Sequence, residues 1–181
     1  MNISIEISII VCTFNHEKWI ERCVRSILNQ ENIDKEKLEV IIVNDKSKDQ
    51  TSEILKKYKN FKNMKVIENK KNIGLPKSIN KAIKLSSGRY LMRVDSDDYI
   101  HRNCVFFMKF YLDFNRHYQA VSCDYVKVNK NEEYLKRYNS IKNQIACGIL
   151  FRRECLFDLG LYDEKFKMRE GHDLRNRFLK K

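Results

Sequence analysis

Proline and glycine are scarce in this chain of 181 residues, which has one of the first and five of the second. That scarcity excludes collagen-like and low-complexity architectures. No apolar run approaches the ~20 residues that a membrane-spanning helix needs. The opening Ile3, Ile5, Ile7 and Ile9 follow no basic stretch, so no signal peptide is expected and a cytoplasmic location is the default. A glycine-rich phosphate loop is also missing, which argues against nicotinamide enzymes and ATPases of the familiar fingerprint types. The six cysteines, at 12, 23, 104, 123, 147 and 155, include no pair at the two-residue spacing of zinc sites or redox motifs. Several sit in apolar runs and read as reduced core thiols.

What is present is enough for a core. With 43% apolar residues, a chain this long suits one α/β domain, residues 1–181, rather than two independent cores. The net charge of +12 suggests an anionic partner. The excess is lysine scattered through the chain, so nucleic acid is not the expected one.

The first hundred residues repeat a strand, a loop and a helix. Ile7 to Cys12 and Leu38 to Val43 are predominantly apolar runs of the kind buried on both faces of a parallel sheet. Trp19, Ile20, Cys23, Val24, Ile27 and Leu28 form one helical stripe between them. A short helix over Ser52 to Tyr58, a strand over Lys65 to Glu68, a helix entered near Pro76 and closed at Ser87-Gly88, and a strand over Tyr90 to Val94 follow. The expected fold is α/β, Rossmann-like, with a mostly parallel central sheet and helices on both faces. Beyond residue 100 the pattern predicts a helix over Val105 to Phe114, one strand over Ala120 to Val128 and another over Ile145 to Phe151. A short helix over Glu154 to Leu159 and a last one carrying Leu174, Arg177 and Phe178 complete it.

In open α/β sheets ligands bind beyond the carboxyl ends of the strands. That rule selects Thr13-Phe14-Asn15-His16-Glu17, the loop from Asn44 to Asp49, Asn72-Ile73-Gly74, and Asp95-Ser96-Asp97-Asp98. Three carboxylates within four residues repel one another unless cations compensate them, and hard divalent cations prefer oxygen ligands. Magnesium or manganese shared with substrate phosphates fits that run; an acidic turn capping the next helix is the plainer reading. Asp45 can accept hydrogen bonds from a ribose or base, or simply organise its turn. Asn72 and Gly74 are equally at home in a pocket wall or an ordinary turn. His16, His101 and His117 share no metal-ligand spacing, and Lys77, Arg89 and Arg93 could each face phosphates. Near the end, Glu170 and Asp173 can share a helix face, with Arg177 four residues beyond Asp173.

Taken in order, Ile10 to Asn15, Val40 to Thr51, Asn72 to Gly74, Tyr90 to Asp98, Gly160 to Glu164, and Asp173-Leu174 with Arg177 resemble the inverting glycosyltransferases of family 2 with the GT-A fold. The resemblance implies metal-dependent transfer of a hexosyl or N-acetylhexosaminyl group from a nucleotide-diphosphate sugar to an acceptor hydroxyl, in surface polysaccharide or lipopolysaccharide synthesis. It assigns Thr13, Phe14 and Glu17 to the nucleotide pocket, Asp45 to the base or ribose, and Asn72 and Gly74 to the pocket wall. Asp95 would contact nucleotide or sugar, and Asp97 would ligate Mn2+ or Mg2+. Residues 1–100 become the donor half and 101–181 a short acceptor-side half.

One departure concerns the general base. The family pattern is Glu-Asp, one residue, then Asp-Leu, with the second acid as base; here Glu170-Gly171 stands at that pair. Glu170 or Asp173 is then the expected base, with His172 a further candidate, and a catalytically impaired nucleotide-sugar binder is the alternative. A nucleotidyltransferase is a further one, since acidic strand ends also serve metal-assisted phosphoryl chemistry. The implied acceptor is a glycan or lipid-linked saccharide, with a basic face against the inner face of an anionic cell membrane.

Overall fold

Strands β1 (Ile7–Thr13) and β2 (Leu38–Asn44) are buried along almost their whole length because both of their faces are covered. The structure, a computed structural model, describes residues 4–180; Ile3 of the opening alternation lies outside them. Strands β1 (Ile7–Thr13), β2 (Leu38–Asn44), β3 (Met64–Glu68) and β4 (Tyr90–Arg93) run parallel. The six-stranded sheet has the order β3-β2-β1-β4-β8-β5, with β8 (Ile149–Arg152) antiparallel to both β4 and β5 (Ala120–Ser122).

Successive residues point to opposite faces, and the two cores follow that alternation. Ile9, Val11, Val40 and Ile42 pack with helices α1 (Ile20–Leu28), α2 (Thr51–Lys56) and α4 (Cys104–Phe114). Ile10, Ile41 and Val43 pack with α3 (Leu75–Leu85), α5 (Arg153–Asp158) and α6 (Glu170–Leu179). The expected sheet with helices on both faces is therefore the observed one. Among the described residues no helix is long and apolar enough to cross a membrane.

Three expectations are corrected. The run from Ala120 to Val128 is two strands: β5 ends at Ser122 and β6 (Tyr125–Val128) pairs instead with β7 (Tyr134–Tyr138) in a separate hairpin. The break falls at Cys123-Asp124, where the Asp124 carboxylate accepts hydrogen bonds from Ser140 N at 3.1 Å and from Arg137 Nη2 at 3.0 Å. The strand expected from Ile145 starts only at Ile149, and Gly148, at φ +68°, precedes it. Helix α3 ends at Leu85, so Gly88 is not its cap. A Cβ there would lie 2.6 Å from Ser8 N, and this close approach requires glycine.

Candidate active site

The loops beyond β1 and β2 are laced together by side chains that also define the first loop. Asn15 N donates to Ser47 Oγ (2.9 Å) and Lys48 N to Asn15 Oδ1 (2.7 Å). Glu17 N donates to Asp49 Oδ2 (3.0 Å), while Gln50 N donates to Glu17 Oε2 (2.8 Å). Asn15 adopts φ +57°, a conformation asparagine tolerates better than most residues. Glu17 is thus a brace between loops, whereas Phe14 is left exposed at their edge. Thr13 is buried at the end of β1, and its Oγ1 has no hydrogen-bond partner among the described residues.

Asp45 is buried and its carboxylate gathers the third loop. Oδ1 accepts from Asn69 Nδ2 (2.8 Å) and Ile73 N (2.9 Å), and Oδ2 from Gly74 N (2.8 Å). Gly74 can present its amide that way because it sits at φ +90° before α3. Asn72 is exposed on the same loop. The turn-organising reading of Asp45 is therefore realised, and it places Asn72 and Gly74 beside the ends of β1 and β2.

The fourth loop carries the acids. His16 Nδ1 lies 2.6 Å from the buried Ser96 Oγ, which ties this loop to the first. Asp95 Oδ1 accepts from Arg93 Nε at 2.6 Å. One oxygen of Asp95, one of Asp98 and the Cys147 sulfur lie within 4.8 Å of one another. Cys147 Sγ donates to Asp98 Oδ2 at 3.1 Å. Burial, reinforced by the Asp95 and Asp98 charges, pushes the Cys147 thiol up, so it keeps its proton. Partial desolvation and the neighbouring Asp95 and Asp97 carboxylates hold Asp98 above the usual carboxylate range. Asp97 stands outside this group, exposed, with its backbone carbonyl bound by Arg22 Nη2 at 2.8 Å.

Both candidate bases on α6 are held by arginines. Arg93 is buried and does not face solvent phosphates as the sequence allowed; its Nη1 donates to Glu170 Oε1 at 2.9 Å while its Nε holds Asp95. Desolvation works against this guanidinium, but Asp95 and the other partners outweigh it and fix its charge. One guanidinium therefore joins Glu170 to the acidic loop. Asp173 faces elsewhere: Arg177 grips it at 2.8 Å and also donates to the carbonyls of Leu159 and Leu161. Gly171 contacts the chain before β8, where an added Cβ would come within 2.3 Å of Ala146 Cβ.

Arg22 and Cys147 carry no site signal in their sequence neighbourhoods, while His16, Arg93 and Ser96, present in the strand-end segments, give no sign there of the partners they take. The contacts His16–Ser96, Arg22–Asp97, Arg93–Glu170 and Cys147–Asp98 join positions 49 to 80 apart, which no local pattern reveals.

Known proteins resemble this chain in sequence and fold. The TarS poly(ribitol-phosphate) beta-N-acetylglucosaminyltransferase of Staphylococcus aureus strain MW2 is 43% identical over 96 residues, which are 52% of this chain and 17% of that protein. A poly(ribitol-phosphate) beta-glucosyltransferase of Bacillus spizizenii is 44% identical over 97 residues, 52% of this chain and 15% of its own length. The crystal structure of S. aureus TarS 1-349 with UDP superposes with a TM-score of 0.77 at 27% identity, over 94% of this chain and 54% of that one. A mannosyltransferase from Pyrobaculum calidifontis, solved with GDP-Man and Mn2+, shares the fold with a TM-score of 0.74 at 22% identity, over 92% of this chain and 50% of its own. The chain thus spans about half of the solved structures and under a fifth of these two curated relatives. The model of glycosyl transferase family 2 matches residues 8–169, and with the shared GT-A fold it places this chain in that family.

Proposed function

We propose that the chain transfers a sugar, with inversion, from a nucleoside-diphosphate sugar to a glycan or lipid-linked hydroxyl during polysaccharide synthesis. The observation that carries this reading is the convergence of four strand-end loops on one acidic edge, with Arg93 joining that edge to Glu170. Thr13, Phe14 and Glu17 would form the nucleotide side with Asp45, Asn72 and Gly74, and Asp95 would meet the nucleotide or sugar. UDP-sugars are the first donors to test, since TarS was solved with UDP and with UDP-GlcNAc. Residues 1–100 would serve the donor and 101–181 the acceptor.

The donor atoms suit a hard divalent cation. Asp95 and Asp98 bring carboxylate oxygens together while Cys147 remains a protonated thiol, a poor ligand for Mn2+ or Mg2+. On the family resemblance Asp95 and Asp97 would hold the ion; Asp97 is exposed and its side chain takes no hydrogen bond from the described residues, and Asp98 is the carboxylate grouped with Asp95. Such an ion, when bound, neutralises charge on a leaving diphosphate.

Inversion by direct displacement requires a general base and no covalent nucleophile. Glu170 suits the role better than Asp173. Its Oε1 is fixed by Arg93 and its Oε2 takes no hydrogen bond from the described residues, which leaves that atom to accept the proton of the attacking hydroxyl. Asp173, turned toward Arg177, would position α6. Gly171 favours a second reading, a donor-binding relative without transferase activity, because neither a base nor the space for one exists there.

Thermal shift with UDP and Mn2+, followed by turnover of UDP-GlcNAc and UDP-glucose, tests both. At UDP one hundred times its Kd, binding adds about 2.7 kcal/mol. Asp97→Ala should lose the Mn2+-dependent part of that shift, and Glu170→Gln should keep the shift but lose turnover. A UDP shift indifferent to chelator and to Asp97→Ala would refute the metal role. Binding without hydrolysis or transfer across the donor panel would favour the second reading.

A further inference from the structure

The β6–β7 hairpin carries an unfavourable pair of charges that the fold does not explain. Its register places Tyr125 opposite Tyr138 and Lys127 opposite Lys136. Residues two apart share a face, so both pairs lie on the same side of the hairpin. The two tyrosine rings stack with centroids 5.2 Å apart and planes at 10°, a stabilising cross-strand pair. The lysines do the reverse, because like charges directly opposite each other destabilise a hairpin. Neither has a carboxylate partner among the described residues, whereas Arg137 on the other face pairs with Asp124 at 3.0 Å.

The hairpin also lies across the acidic edge. At its base, Cys123, two residues before Tyr125, places its Sγ 3.8 Å from the carbonyl of Gly148, next to the Cys147 that binds Asp98. At its tip, Glu132 pairs with Arg22 at 3.2 Å, and Arg22 holds the Asp97 carbonyl. The lysine pair stands about 7 Å from the tyrosine pair, two residues at ~3.4 Å each, on the way from base to tip.

We propose that this face docks the acceptor, and that the acceptor is an anionic glycan: sugar hydroxyls and ring edges meet the Tyr125–Tyr138 ledge, and a phosphate or carboxylate bridges Lys127 and Lys136. A bridging anion removes the repulsion that the free hairpin carries. Single-stranded nucleic acid also seeks cations beside aromatic rings, but it needs an open ring face for its bases. Here Tyr138 already holds Tyr125 and, at 5.3 Å, the Lys136 ammonium on its ring. The phenol edges and hydroxyls that remain suit a saccharide. The inference rests on the transferase reading for the word acceptor, but the binding face can be tested separately.

The decisive variant is Lys136→Glu. It turns the like-charged cross-strand pair into an oppositely charged one, so its melting temperature should equal or exceed that of wild type. Binding of poly(ribitol phosphate) and of hyaluronan oligosaccharides, measured at low and at physiological salt, should fall at least tenfold. Comparing these two polymers distinguishes phosphate from carboxylate recognition. Lys136→Arg should retain binding, and Lys127→Gln with Lys136→Gln should lose it without loss of stability. Wild-type affinity for neutral dextran equal to that for the polyanions would overturn the proposal, as would tighter binding of an RNA oligonucleotide or unchanged polyanion binding by Lys136→Glu. UDP with Mn2+, run on the same samples, separates the two readings. Polyanion capture through these lysines without UDP binding would support the hairpin and overturn the donor site, while UDP binding without polyanion capture would do the opposite.

Discussion

Adding one methyl group at Gly171 tests how tightly the candidate base is held. A Cβ there would sit 2.3 Å from Ala146 Cβ and 3.0 Å from Ala146 Cα, where carbon atoms normally keep about 3.5–4.0 Å. Helix α6 has little freedom to recede. Glu170 is tied to Arg93, Leu174 is buried in the second core, and Arg177 is bound to two carbonyls of the Leu159–Leu161 turn. Overpacking of this kind costs about 1–3 kcal/mol, and contact with backbone as well as side chain puts Gly171→Ala at about the upper end. Replacing a helical glycine by alanine returns about 1 kcal/mol. The net expectation is a loss of about 2 kcal/mol, or roughly 4–8 °C in Tm for a domain of this size. Calorimetry and urea unfolding of Gly171→Ala, Ala146→Gly and the double variant would measure it. The double variant should recover part of the loss, because the 2.3 Å contact disappears and the 3.0 Å contact stays. A Gly171→Ala protein that melts above wild type would refute the reasoning, as would a cost unchanged in the Ala146→Gly background. Aspartate, which the resemblance would put at this place, needs still more room.

Two other perturbations test the charges around the sheet. Burial alone would raise the Glu39 carboxyl, but hydrogen bonds from Ser8 and Ser87 and the Lys65 charge outweigh it and hold the group below its usual range. A depressed folded-state pKa contributes stability above the unfolded value, near 4.3, and that contribution is lost as pH falls through the folded one. Glu39→Gln should therefore be about 1–3 kcal/mol less stable at pH 7 and lose less than wild type on acidification to pH 3; parallel urea stability curves would contradict this. Arg93→Met should cost about 3–5 kcal/mol, since it strands Glu170 and Asp95, and urea unfolding that shows under 1 kcal/mol would mean the arginine is not the link described.

Much of the fold could be read from local pattern, and the parts that could not depend on distant partners. Ile7 to Val11 and Leu38 to Val43 are apolar at every position but Ser8 and Glu39, and those two bury their polar groups against each other at 2.6 Å. The hairpin was hidden because Tyr134 to Tyr138 is exposed on nearly every residue and so has no inward-outward alternation. The acidic loop was visible as a run of like charges. Its neighbours were not: Cys147 reads as a core thiol until Asp98 is found 3.1 Å away, and Arg93 reads as one more cation in a basic chain until it is seen between Asp95 and Glu170. Asp45 shows the limit from the other side, since its position was legible but its three partners on the Asn69–Gly74 segment were not.

The net charge of +12 takes on a different meaning once the acids are located. Read along the chain, it is scattered lysine with no address. In the fold, Glu17, Asp45, Asp49, Asp95 and Glu170 are turned inward as loop braces or ion-pair partners at the carboxyl edge of the sheet. Carboxylates engaged there cannot neutralise cations elsewhere. Lys127 and Lys136 illustrate the result, exposed and opposed with no carboxylate partner among the described residues. On the proposed reading, a donor held at the acidic edge and an acceptor met by outward cations would experience opposite fields at the two ends of one reaction. Those fields would favour a cation-assisted diphosphate on the inside and a polyanion on the outside. They would also make the outer interaction the more sensitive to salt.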